Sequence, residues 1–189
     1  MNTSTNAVRR HRLTVTEYFR MGEHGILAPD ARVELIDGEI IDMMPINSPH
    51  SGTVNQLNTL LVRAAGDRAV ISVQNPIILG EYSAPQPDLC LLKPRADHYK
   101  RAHPEAGDVL LAIEVADTSL SYDRNTKSRL YAQFGIAEMW LIDVNSGQLW
   151  RYCNVDNESY AEVKVLDPSN TIEPLALPDC SIQIASLFD

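Results

Sequence analysis

At 189 residues, with 44% hydrophobic and 22% charged side chains, the chain is long enough for one packed domain and too apolar to remain disordered. Its formal net charge of −9 works against a protein that holds nucleic acid by general electrostatic attraction, because duplex DNA repels an acidic surface. No apolar run approaches the roughly 18 residues of a membrane span, and the three scattered cysteines (Cys90, Cys153, Cys180) form no Cys-x-x-Cys pair, so neither a zinc site nor a disulfide framework is indicated.

Residues Met1–Arg12 are polar, carry Arg9, Arg10 and Arg12 and lack an apolar signal core, so a flexible tail on a cytoplasmic protein is expected, followed by a single domain over 13–189. Thr14 with Glu17 three residues on forms a capping-box pattern and predicts a short helix ending near Gly22. Arg32–Met43 alternates around Asp37-Gly38 and predicts a β-hairpin. A breaker-rich loop, Pro45–Pro49, leads into a helix expected from His50, with Val54, Leu57, Leu60, Leu61 and Ala64 at helical spacing and Gly66 as its stop. Ala69–Leu79 reads as a strand interrupted near Pro76, and Pro87–Leu92 as a second, apolar strand opened by Asp88. The polar stretch Lys93–Gly107 is long for a hairpin loop; its Lys93, Arg95, Lys100 and Arg101 read as solvated surface, and His98 and His103 as loop polarity. Val109–Val115 is apolar on both faces and should be a central strand covered on both sides. A helix over Tyr122–Phe134, stopped by Gly135, and a buried strand Glu138–Asp143 then make a strand–helix–strand crossover with a parallel pair. Strands Gln148–Val155 and Tyr160–Leu166 form a hairpin, and the C-terminus, with Ile182 and Ile184, reads as an ordered tail. The fold class is α+β with a mixed sheet flanked by helices.

Within this order one constellation carries chemistry. Asp88 opens its strand and Glu114 nearly closes the next, so antiparallel pairing makes the two carboxylates neighbours at one rim of the sheet. Two carboxylates held that close repel unless a cation or a shared proton lies between them. Lys127, Leu130, Tyr131 and Phe134 share one helical face, and three of them are apolar. Lys127 therefore sits on the buried face and can extend its ammonium toward the rim; the blander alternative pairs it with Asp123 one turn earlier.

Taken together, Val33-Glu34-Leu35-Ile36-Asp37-Gly38-Glu39, Ser48-Pro49-His50, Pro87-Asp88, Glu114-Val115-Ala116-Asp117-Thr118-Ser119, Lys127 with Tyr131, and Gly135–Asp143 resemble the Uma2 family (DUF820) of the PD-(D/E)xK nuclease superfamily, from about Leu13 to the C-terminus. The resemblance implies a restriction-endonuclease-like fold and an endonuclease; with the residue types at the rim, the leading expectation is a divalent-metal-dependent enzyme that cuts DNA phosphodiester bonds. Asp88, Glu114 and the Val115 carbonyl would hold Mg²⁺ or Mn²⁺, and Lys127 would orient the attacking water and share in charge stabilisation. The superfamily lysine two residues after the acid is here Ala116, so Lys127 must substitute from the helix. Glu34 is placed at the metal site by the resemblance, against an exposed strand carboxylate as its other reading. His50 is a further candidate against a capping or surface role, Tyr131 is expected in the core with its hydroxyl near the site, and Trp140 in packing. A homodimer is expected by analogy with nucleases that cut both strands. The alternatives are a non-catalytic nucleic-acid-binding or regulatory module and an assembly-forming protein on the same fold.

Overall fold

The computed structural model describes residues 10–188, so most of the expected tail, residues 1–9, lies outside the described residues. Its visible end is anchored: the Arg12 guanidinium donates to the Asp37 carbonyl at 2.8 Å and lies 4.1 Å from the Tyr82 ring centroid. Helix α1 (Val15–Glu23) starts at the expected capping box, in which Thr14 Oγ1 accepts the Glu17 N–H at 3.2 Å and Glu17 Oε2 accepts the Thr14 N–H at 2.8 Å. Strands β1 (Val33–Ile36) and β2 (Glu39–Asp42) pair as the predicted hairpin. Its two turn residues, Asp37 and Gly38, both have positive φ (50° and 81°), the backbone an Asp-Gly turn supplies. A side chain at Gly38 would also collide with Arg12, whose Cβ stands 2.6 Å from where a Cβ would be.

Helix α2 spans Ser48–Ala65 and starts two residues before the expected His50. Pro49 falls in the first turn, where a missing N–H has no intrahelical partner to lose, and the Asn47 side chain caps the helix by accepting the His50 N–H at 3.1 Å. The strand expected over Ala69–Leu79 is shorter: β3 is Val70–Val73. Gln74 turns into the left-handed region (φ 51°) and Pro76 has no N–H for a ladder, so the chain leaves the sheet there.

The central sheet has six strands in the order β3, β4 (Leu89–Leu92), β5 (Val109–Ala116), β6 (Glu138–Asp143), β7 (Gln148–Asp156), β8 (Ser159–Leu166). Every neighbouring pair is antiparallel except β5 and β6, the parallel pair expected from the crossover. Val54, Leu57 and Leu61 of α2 pack on one face against Leu89, Leu91, Leu111, Ile113, Val115, Trp140 and Ile142, with Ile182 and Ile184 of the C-terminal segment closing that side. Leu130, Tyr131 and Ile136 cover the other face over Cys90, Leu92, Ala112, Ala116, Met139 and Leu141. Each such buried leucine or isoleucine contributes about 1.5–3 kcal/mol over leaving it exposed, and β5, buried on both faces, is the centre of the molecule. The C-terminal segment also forms a two-stranded sheet, β9 (Thr171–Ile172) with β10 (Ile182–Gln183), which its prolines conceal in the sequence.

The crossover helix differs from a plain α-helix over Tyr122–Phe134. It begins at Leu120 with one α turn (Leu120–Tyr122), passes through a π turn (Asp123–Lys127), and continues as α-helix over Ser128–Gln133; we call the whole run α3. The Ser128 N–H reaches back five residues to the Asp123 carbonyl. Such π turns occur often at functional sites, because the extra residue re-aims side chains on either side of it. Beside this helix, the hairpin packs through Val33 and Leu35 on Tyr18 and Ala84, and the Ala84 N–H donates to the Leu35 carbonyl at 2.7 Å. This sets β1 beside the sheet rim where β4 begins.

Candidate active site

The β4–β5 register pairs Leu89 with Ile113, which sets Asp88 across from Glu114 at the rim. They are joined there by Glu34 from β1 and by Asp123 and Lys127 from the π turn. All five residues are at least 93% buried, and all five line one cavity of about 320 Å³. A larger hollow of about 560 Å³ lies beside Val62 and Arg95, but only this one gathers buried ionisable groups. Buried charges are costly unless paired, so their convergence needs a reason.

Asp88 is held from three directions. Its Oδ2 accepts the Val115 N–H at 2.9 Å and lies 3.1 Å from His50 Nε2, and its Oδ1 accepts from Gln74 Nε2 at 3.0 Å. Burial alone would push its pKa up, but His50, Gln74 and the Val115 amide together hold it below the ordinary aspartate value. Glu114 Oε1 accepts the Tyr131 hydroxyl at 2.5 Å and lies 3.1 Å from Lys127 Nζ. Burial raises the Glu114 pKa, Lys127 opposes this, and repulsion from Asp123, Asp88 and Glu34 leaves it well above the ordinary glutamate value. Lys127 Nζ also lies 3.3 Å from Glu34 Oε2 and 3.9 Å from Asp123 Oδ1. Burial would lower its pKa, but Glu114, Glu34 and Asp123 more than reverse that, and the ammonium stays charged. Asp123, whose Oδ2 accepts the Ser119 hydroxyl at 2.5 Å, is also raised by burial, with Lys127 and Ser119 opposing and Asp88 and Glu34 reinforcing. Four carboxylates thus face one permanent cation.

Asp88, Glu114 and Lys127 therefore meet, and Glu34 meets them. Glu34 is no exposed strand carboxylate: it is 3% exposed, and its Oε2 accepts the Gln86 N–H at 3.1 Å. The His50 backbone does join the cap of α2, but its imidazole turns to Asp88, so a surface role does not describe it. Tyr131 is fully buried, with its hydroxyl on Glu114 as expected. Val115 enters the site through its N–H. Ala116 is fully buried among the apolar residues under α3 and contributes no cation. Trp140 is packing, its indole N–H on Glu138, and His103 stacks on Phe19 with ring centroids 5.1 Å apart, away from the cavity. Arg95 spends its charge on Asp97 at 2.6 Å. Reading the sequence missed Gln74, Tyr122 and Asp123 as members of the site. Gln74-Asn75-Pro76 carried a usable signal, since the interruption read near Pro76 begins at Gln74 and turns it to the site. The π turn, which brings Tyr122 and Asp123 to the cavity together with Lys127, has none.

Among the described residues, no group of three or more His, Cys, Asp or Glu side chains is arranged to hold a metal ion. The donor set still fits a small hard cation. Mg²⁺ usually binds through one or two carboxylates and takes its remaining ligands from water and substrate oxygens, and the surplus negative charge around Asp88 and Glu114 is what such an ion neutralises.

A mixed six-stranded sheet flanked by helices is the restriction-endonuclease-like architecture. The fold matches a crystal structure described as "a putative nuclease belonging to DUF820" from Anabaena variabilis ATCC 29413, with a TM-score of 0.74 over 93% of this chain and 97% of that one, at 19% identity. A family model described as "Putative restriction endonuclease" matches residues 15–185, and the chain belongs to that family, Uma2. No curated protein matches the chain. No described helix is long and apolar enough to cross a membrane.

Proposed function

We propose that this protein is a divalent-metal-dependent endonuclease that hydrolyses DNA phosphodiester bonds at the Asp88–Glu114–Lys127 rim. The observation that carries the reading is a single buried ammonium facing four buried carboxylates in one cavity, an arrangement a purely structural core gains little from. Asp88, Glu114 and the Val115 carbonyl would hold Mg²⁺ or Mn²⁺, which when bound would supply a water of lowered pKa and positive charge beside the scissile phosphate. The chain's own residues do the rest. Gln74, His50 and the Val115 amide fix the Asp88 carboxylate, and Tyr131 fixes Glu114. Glu34 and Asp123 hold the Lys127 ammonium in place. Because Lys127 stays protonated, its role is to orient the water and meet the developing negative charge, and it does not take up the water's proton.

A second reading has its own observation. Lys127 already has three carboxylate partners, as in a closed structural network, which suits a non-catalytic regulatory or assembly protein. Plasmid nicking with Mg²⁺ or Mn²⁺ separates the two. The parent should nick, and Asp88→Ala and Lys127→Met should each lose about 100- to 1,000-fold, the usual cost of removing one charge-stabilising group. Equal background from all three proteins removes the enzyme. The homodimer is a further part of the proposal, drawn from resemblance to nucleases that cut both strands, and sedimentation velocity tests it.

A further inference from the structure

We propose that the cavity takes an unpaired nucleotide, so that the preferred substrate is single-stranded DNA; this rests on the phosphodiesterase reading above. The cavity has two walls of opposite chemistry. One is the charged rim of Asp88, Glu114 and Lys127, and the other is mainly apolar, built from Ile41, Met43 and Met44 where β2 leads into α2, with Asp42 its one charged member. Met44 is 59% exposed at the mouth, where its side chain is free to meet a ligand. The wall is preformed: the Met43 N–H donates to the Arg32 carbonyl at 2.9 Å, the Arg32 guanidinium donates to the Met44 carbonyl at 3.2 Å, and Asn47 caps α2 just beyond.

A nucleotide has the same two-sided character, a phosphate and a flat apolar base. In a duplex the base beside a scissile phosphate is paired, stacked and directed at the helix axis, so it cannot lie in the same cavity as its phosphate. An unpaired nucleotide can be splayed so that both ends fit. About 320 Å³ lies at the small end of ligand cavities and suits one nucleotide, not a segment of duplex. Thioether side chains make favourable contacts with aromatic rings and adapt to different bases, which gives affinity without sequence preference. Charge points the same way. The chain carries −9 and, among the described residues, Lys127 is the only Lys or Arg lining the cavity, so the attraction to many phosphates that holds a duplex is weak there, and base contact must provide affinity.

The test compares one labelled oligonucleotide, single-stranded and as duplex, in Mn²⁺. The parent should cut the single strand with kcat/KM about tenfold or more above the duplex. Met44→Ser, at an exposed position that leaves the fold alone, should raise KM for the single strand about three- to tenfold with kcat unchanged and barely affect the duplex. An abasic residue beside the cut should cost the parent at least that factor and cost Met44→Ser less than it costs the parent. Equal cutting of both forms, or a Met44→Ser protein that behaves like the parent, overturns the proposal. Titration of a 2-aminopurine oligonucleotide in Ca²⁺ keeps the two readings apart. Met44-dependent binding by a protein that cuts nothing sinks the hydrolytic reading and leaves the base seat standing, and absence of Met44-dependent binding overturns the base seat.

Discussion

Two buried glutamates lie on neighbouring parallel strands of one sheet, and their surroundings differ in kind. Glu138, at the start of β6, is fully buried beside the C-terminal segment. Its Oε1 accepts from Trp140 Nε1 at 2.9 Å and Arg151 Nε at 2.7 Å, and its Oε2 accepts the Leu175 N–H at 2.6 Å. One carboxylate meets one guanidinium, both oxygens are bonded, and the local charge closes to zero. Glu114, near the end of β5 and on the face covered by α3, shares one lysine with Glu34 and Asp123 and has Asp88 across the strand pair. There the charge does not close. A carboxylate that ties down a chain segment is matched group for group, whereas a cluster left with surplus negative charge waits for a cation or a substrate to complete it.

The largest effect expected from this contrast is on stability when each cation is removed. Lys127→Met leaves several buried carboxylates facing one another and should cost about 3–5 kcal/mol by urea unfolding. Arg151→Met should cost about half that or less, because the Arg151 side chain is 22% exposed and Glu138 keeps two other donors. Equal losses would mean that the two clusters are alike. Next in size is the pair of amide substitutions. Glu138→Gln weakens three hydrogen bonds to a charged acceptor and strands Arg151, for a loss of about 2 kcal/mol. Glu114→Gln removes a charge that its own neighbours oppose, so its unfolding free energy should stay within about 1 kcal/mol of the parent while nicking is lost. A Glu114→Gln protein as damaged as Glu138→Gln would place Glu114 among the structural carboxylates.

Most of the scaffold behind this contrast could be read from residue order. Both hairpins, the capping box at Thr14, the doubly buried Val109–Val115 strand and the parallel pair all rest on local pattern, which short-range geometry enforces. The core of the site was also legible, because Asp88 and Glu114 need only antiparallel pairing to meet. What escaped depends on backbone irregularity. Gln74 reaches Asp88 through a left-handed residue, and Asp123 joins Tyr122 and Lys127 at the cavity through a π turn. Neither follows a period that a sequence displays. His50 was a candidate from its place at the start of α2, but its partner Asp88 was not readable, because the approach of that helix end to β4 is set by tertiary packing.

Asp123 gives the smallest effect and the sharpest test of sign. Burial is the main force raising its pKa in the folded protein, with Asp88 and Glu34 adding to it against Lys127 and Ser119. With a raised folded value, the group's favourable contribution is fully present below the ordinary aspartate pKa and is lost as pH rises through the folded value, because the unfolded chain ionises first. At pH 7 the group therefore burdens the fold, and an uncharged amide should relieve it. Asp123→Asn should be about 1 kcal/mol more stable than the parent at pH 7, and the gain should vanish below about pH 4, where Asp123 is protonated in both states. The Ser119 hydroxyl can still donate to the Asn carbonyl oxygen, so no partner is stranded. Thermal melts across pH 3.5–8 read the difference directly. A loss at pH 7 that persists in acid would show that Asp123 supports Lys127 as a structural counter-ion, and the surplus of charge assigned to the rim would then be smaller by one carboxylate.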